Sequence, residues 1–147
     1  PGNSKSEADT PDAPTPVTQA RNILFFLDNE TYRVNGQTYQ MDVSPYMDND
    51  RVFIPLRYAG MALGIQPQNI LWDGEKQAAA LYNQNTLIRV NLGENALYRF
   101  ETKIESDAAA HLYSGRIMVP IRALATAFGA NVEWDAGNQM VKITTNS

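Results

Sequence analysis

The chain has 147 residues, 44% hydrophobic and 10% aromatic, enough to bury one ordinary core and make one compact domain plus a tail. Its net charge is −4 and its Lys and Arg are scattered, which argues against a phosphate-backbone partner, so no nucleic acid is expected. With no cysteine a disulfide framework and thiolate metal sites are excluded, and no apolar run approaches the roughly 18–20 residues of a membrane span. No signal peptide is read either.

Residues 1–20 are Pro, Ser, Thr, Asp and Ala without periodicity, too little apolar surface to offset ordering entropy, and read as a disordered linker whose role is that of a tether. From residue 21 a single domain runs to 147. It opens with an apolar strand at 23–27, a second at 31–34, the Asn35-Gly36 hairpin signal and a returning strand at 37–41. Ser44-Pro45 begins a loop, and Asp48-Asn49-Asp50 turns the chain into a strand at 51–54. Pro55 suits the start of a helix. Leu56, Ala59, Gly60 and Leu63 then mark one apolar helical face, and Gly64 can take the left-handed angle that stops it. The segment 65–69, with Pro67, reads as a loop, and strands are expected at 69–72, 77–82, 86–91 and 96–101, with Gly93-Glu94 as the turn of a linking hairpin over 86–99.

The second part repeats the first. VFIPLRYAGMALGIQPQNILWD at 52–73 and IMVPIRALATAFGANVEWD at 117–135 share one frame: Pro, Arg, a short helix, Gly, then Trp-Asp. Pro55 and Pro120, Arg57 and Arg122, and Gly64 and Gly129 lie 65 residues apart, whereas Trp72 and Trp134, and Asp73 and Asp135, lie 62 apart. The same offsets align Asp42 with Asp107 and Arg51 with Arg116. Such self-similarity predicts duplicated units, copy one at about 23–82 and copy two at about 96–145. Ile121, Leu124, Ala125 and Phe128 form the second helical face, with strands at 131–134 and 140–145. Helices this short need a sheet to lie on.

The repeated residues carry packing and turn chemistry. A cation in the first turn of a helix opposes the macrodipole, so Arg57 and Arg122 need partners, either Asp73 and Asp135 or Asp42 and Asp107, in a brace from helix to strand; an anion site is the sharper alternative. Trp72 and Trp134 read as core or rim plugs, or else as a sugar-stacking platform with Tyr39, Tyr46, Tyr82, Tyr98 and Tyr113. His111 is the single histidine, so no multi-His metal site forms within the chain, and no hydrolase, phosphate-loop or zinc-protease motif is present. Asp48-Asn49-Asp50 opens like a calcium loop but lacks its next ligand and its glycine. Asn29-Glu30-Thr31 fits a glycosylation sequon.

The paired motifs, with Val34-Asn35-Gly36 before the first, resemble the copper amine oxidase-like N-terminal domain, or stalk domain, of secreted and cell-wall proteins of Gram-positive bacteria. The likeness covers about 23–145. It implies an α+β fold of two pseudo-repeats of antiparallel strands, each with one short helix on the sheet, and a non-catalytic stalk or spacer in a secreted or cell-envelope protein. In the oxidases that name the family, copper and the Tyr-derived quinone belong to another domain, so no cofactor, metal or catalytic residue is carried over. The second copy departs in having Phe100-Glu101 at the Asn-Gly turn and Ala110 for Pro45. As partners the resemblance suggests a cell-wall polymer or other domains of the same polypeptide. A structural module predicts no concave, polar-lined pocket, whereas a glycan-binding module predicts exposed aromatics flanked by Asp, Asn or Gln.

Overall fold

A computed structural model describes residues 20–145. The linker expected at 1–20 lies, apart from Ala20, outside the described residues. In chain order the elements are β1 (Arg21–Phe26), β2 (Thr31–Val34), β3 (Gln37–Gln40), β4 (Tyr46–Asp48), β5 (Arg51–Pro55), α1 (Leu56–Ala62), a 3₁₀ turn (Pro67–Asn69), β6 (Ile70–Asp73) and β7 (Ala78–Tyr82). They continue with β8 (Leu87–Asn91), β9 (Ala96–Arg99), β10 (Thr102–Glu105), β11 (His111–Tyr113), β12 (Arg116–Pro120), α2 (Ile121–Phe128), β13 (Asn131–Asp135) and β14 (Met140–Thr145). The class is α+β, with mostly antiparallel sheets and two helices.

The strands form three sheets, ordered β13-β14-β1-β2-β3, β6-β7-β8-β9-β10 and β11-β12-β5-β4. Each outer sheet draws on both halves of the chain. β14 pairs with β1, placing Ile143 opposite Ile23, and β7 pairs with β8, placing Leu81 opposite Ile88. β8 thus sits between β7 and β9 as β1 sits between β14 and β2, and the 86–99 hairpin is part of a sheet rather than a separate connector. In the third sheet β5 and β12 lie side by side with Ile54 opposite Val119.

Alternation explains the strands. Ile23 and Phe25 of β1 and Ile88 and Val90 of β8 point inward, while Asn22, Leu87 and Arg89 point to solvent. The inward residues join Tyr32, Ile54, Leu81, Val119, Leu124 and Ile143 in one core that crosses both halves. Each such fully buried aliphatic side chain contributes on the order of 2 kcal/mol. A second, small cluster of Val43, Phe53 and Met118 lies in the β11-β12-β5-β4 sheet. That sheet curls until its edge strands meet through side chains, with Tyr46 of β4 tilted at 58° against Tyr113 of β11, 4.9 Å between ring centroids.

Both helices start from proline: Pro55 and Pro120 end a strand in extended conformation and cap the helix in the next step. Gly129 closes α2 at φ 71°, and Gly64 lies just beyond Leu63, the last cap of α1, at φ 101°. α1 is buried almost all round, not on one face alone, because Tyr58, Met61 and Ala62 are covered as well as Leu56, Ala59 and Gly60. The buried Arg21 donates from Nη1 to the carbonyl of Ala62 at 2.8 Å, satisfying an acceptor at the end of that helix.

Strands β4, β10 and β11 were not expected. Each has three or four residues and no apolar alternation, so only pairing with a neighbour defines it. The hairpin at Phe100-Glu101 also forms, pairing β9 with β10 and holding Phe100 at φ 53°, where the corresponding Asn35 takes φ 50°.

Candidate functional site

The paired motifs are used for turns and braces. Asp73 Oδ1 accepts the backbone N–H groups of Glu75 at 3.0 Å and Lys76 at 3.2 Å, setting the β6–β7 turn. Asp135 does the same for β13–β14, accepting from Asn138 N at 3.1 Å and Asn138 Nδ2 at 2.9 Å, and these bonds hold its carboxyl below the usual range. Gln77 and Gln139 end the two turns at φ 52° each. The tryptophans part company. Trp134 packs partly buried against the main core, whereas Trp72 is 48% exposed, so only the former is a rim plug.

The expected brace at Arg57 and Arg122 does not form. Among the described residues neither has an ion pair, and Arg122 is exposed. Braces form instead at the arginines six residues earlier. Arg116 grips Asp42 in a fork, Nε to Oδ1 at 3.1 Å and Nη2 to Oδ2 at 2.7 Å, and Arg51 Nη2 meets Asp107 Oδ2 at 2.9 Å. Each arginine thus reaches the carboxylate of the other half, tying β12 to the end of β3 and β5 to the loop before β11. Position explains the difference: Arg51 and Arg116 begin strands beside those loops, while Arg57 and Arg122 lie on helices whose strand-facing sides are filled by apolar residues. The Arg116 fork, then a bond from Tyr58, lowers the Asp42 pKa; Tyr58 itself is raised, by burial first and Asp42 second. Arg51 lowers Asp107 in the same way.

Between the two braces lies an aromatic group. The Tyr46 hydroxyl is hydrogen-bonded to His111 Nε2, and His111 Nδ1 donates to the Ala109 carbonyl at 3.3 Å. The imidazole also meets Phe53 edge-on at 4.8 Å. His111 is therefore a packed strand residue with both nitrogens engaged. The Tyr46 hydroxyl is pushed up by burial first, then by Asp48 and Tyr113.

Beside this group opens a pocket of about 260 Å³. The β1–β2 turn contributes Asp28 and Glu30, the β3–β4 connection runs along the wall from Asp42 to Pro45, and Tyr46, Tyr113 and Ser114 complete it. Tyr113 is 51% exposed. A concave, polar-lined pocket is thus present, contrary to what a purely structural module predicts. Tyr46 and Tyr113 stand out in the sequence as aromatics and Asp42 as a brace residue, whereas Asp28 and Glu30 carry no signal there. Asp28 sits at φ 58°, and only the folded turn brings it to the tyrosines. Asn29 Oδ1 accepts from Thr31 N at 3.0 Å and Thr31 Oγ1 at 2.8 Å, which makes the sequon part of the same turn.

Fold and motif residues together define a β-rich α+β domain in which the order strand–strand–helix–strand–strand occurs at β4–β7 and again at β11–β14. The copper amine oxidase N-terminal domain model matches residues 33–143, and the chain belongs to that family. The matched part is the family's N-terminal, non-catalytic domain. No curated protein and no solved structure matches the chain. The residues do not fit the copper of the family name: the chain has one histidine, and no group of three or more His, Cys, Asp or Glu that could hold a metal occurs among the described residues. Among those residues, no helix is long and apolar enough to cross a membrane.

Proposed function

We propose that this chain is a non-catalytic structural module, a stalk or spacer, of a secreted or cell-envelope protein, built from two duplicated halves. The observation that carries this reading is the exchange of parts: each outer sheet takes strands from both halves, and the Arg116–Asp42 and Arg51–Asp107 braces cross between them. Six of the signature residues, Pro55, Gly64, Asp73, Pro120, Gly129 and Asp135, serve helix ends or hairpin turns. Interlocked halves unfold as one unit, so thermal and urea denaturation followed by fluorescence and by circular dichroism are expected to give one coincident transition. Two separated transitions would refute the interlocked module.

The pocket supports a second reading, a cell-wall glycan-binding module. Tyr113 offers an exposed ring beside carboxylates and hydroxyls, the combination that sugar recognition uses. Co-sedimentation with purified peptidoglycan separates the two. A purely structural module stays in the supernatant, whereas a glycan binder pellets and is released by Tyr113→Ala.

A further inference from the structure

Resting on that second reading, we infer that the pocket formed by the β1–β2 turn, the start of β4 and the end of β11 takes an amino sugar through its free ammonium group. Its wall holds three carboxylates, Asp28, Glu30 and Asp42, and no lysine or arginine. Carboxylates accept hydrogen bonds and do not donate them, so Asp28 and Glu30 repel an acidic sugar or a phosphate and favour a cation. Asp42 is taken up by Arg116, which bonds both its oxygens, and by Tyr58, so the carboxylates left for a ligand are Asp28 and Glu30, which form no ion pair among the described residues. The Tyr113 ring supplies an apolar face for the carbon skeleton that carries the ammonium, and Ser44 and Ser114 supply hydroxyls. A volume of about 260 Å³ suits one sugar ring rather than an extended ligand.

An internal control lies in the other half of the chain. Displaced by the 65-residue offset, Asp28 becomes Gly93, Glu30 becomes Asn95 and Ser44 becomes Ala109, while Tyr113 corresponds to Asp48. Backbone and brace are kept at these places, as the paired positions Asp42 and Asp107 attest, yet both unpaired acids and the exposed ring occur only on the pocket side. The framework therefore does not need them.

The test is calorimetric titration of the protein with a β-1,4-linked glucosamine tetrasaccharide and with its fully N-acetylated counterpart, at physiological salt so that long-range attraction is screened. Binding of the free-amine sugar is expected, with affinity for the acetylated one about tenfold lower, since acetylation removes the charge. Asp28→Asn with Glu30→Gln keeps the shape of the turn and removes both acids, and is expected to weaken binding about tenfold. Tyr113→Ala should weaken it as well, whereas Glu75→Gln with Glu101→Gln removes the same charge elsewhere and should leave it unchanged. Unaltered melting temperatures check that the variants fold. Equal affinity for both sugars would overturn the ammonium assignment and leave the glycan reading standing; no binding of either would overturn both. Equal weakening by the two double variants, or equal binding of a lysine tetrapeptide, would also sink it.

Discussion

The stretch from β1 to β7 and the stretch from β8 to β14 follow the same order of strands and helix, and positions related by the sequence offset carry different side chains, which shows where the fold tolerates change. At the middle of α1 stands Gly60, and at the matching place in α2 stands Ala125. In the first half a Cβ at this position would overlap Leu81 Cδ2, whereas the second half has Ile143 at the place of Leu81. Tyr32 and Leu97 fill corresponding core positions, both buried, but the Tyr32 hydroxyl has no hydrogen-bond partner. Asn35 and Phe100 occupy the same left-handed turn position, which suits one of them far better than the other. Shape at these points is set by the sheet, and the side chain adapts.

Each difference can be tested by transplanting one half's residue into the other. The largest effect is expected for Gly60→Ala: overpacking against the buried Leu81 outweighs the gain in helix propensity and costs about 1–2 kcal/mol in urea denaturation, and Leu81→Val in the same chain recovers most of it. If Gly60→Ala stabilises alone, the two helices do not differ in packing as described. Next comes Phe100→Asn, which relieves a left-handed aromatic residue and is expected to stabilise by about 1 kcal/mol; an unchanged or lower denaturation midpoint would show that the exposed ring, with Arg99 over its face at 5.4 Å, contributes more than the strain. Tyr32→Phe removes a buried hydroxyl without a partner and is expected to stabilise by roughly 0.5–1 kcal/mol, read as a higher midpoint at an unchanged slope.

The smallest effect separates the two braces. Arg116 grips Asp42 through two nitrogens and Tyr58 adds a donor, while at the other brace the place of Tyr58 is taken by Ala123 and Asp107 has a single arginine contact. Both carboxyls have folded pKa values below their ordinary ones, so their stabilisation is present above the usual carboxylate range and is lost as pH falls through the lowered values. In a double-mutant cycle Asp42→Asn and Arg116→Gln should couple by about 0.5–1 kcal/mol at neutral pH and by less in acid. The Arg51–Asp107 cycle should show weaker coupling; a reversed order would contradict the geometry.

Much of the fold was legible because Pro, Gly and Asn-Gly act locally. Pro55 and Pro120 announce helix starts, Gly64 and Gly129 their ends, and the repeated Trp-Asp marks matching hairpins. What escaped was long-range or set by pairing alone. β4, β10 and β11 have no periodic signal, and the partners of Asp42 and Asp107 depended on which arginine the curled β11-β12-β5-β4 sheet carries past them. The offset that aligned Arg51 with Arg116 was visible, but their braces cross between halves, and no local pattern encodes a crossing. Nothing local links Asp28 and Glu30 to Tyr113, distant in the chain, and only the folded sheets bring them to one pocket.

The pairing of β1 with β14 has a mechanical consequence. Arg21 lies opposite Thr145, so the first and last described strands meet end to end at one point on one sheet. Tension between neighbouring segments would load the β1–β14 ladder rung by rung, as a zip is opened, instead of all rungs together. In a protein under load that closing seam would be the first part to give.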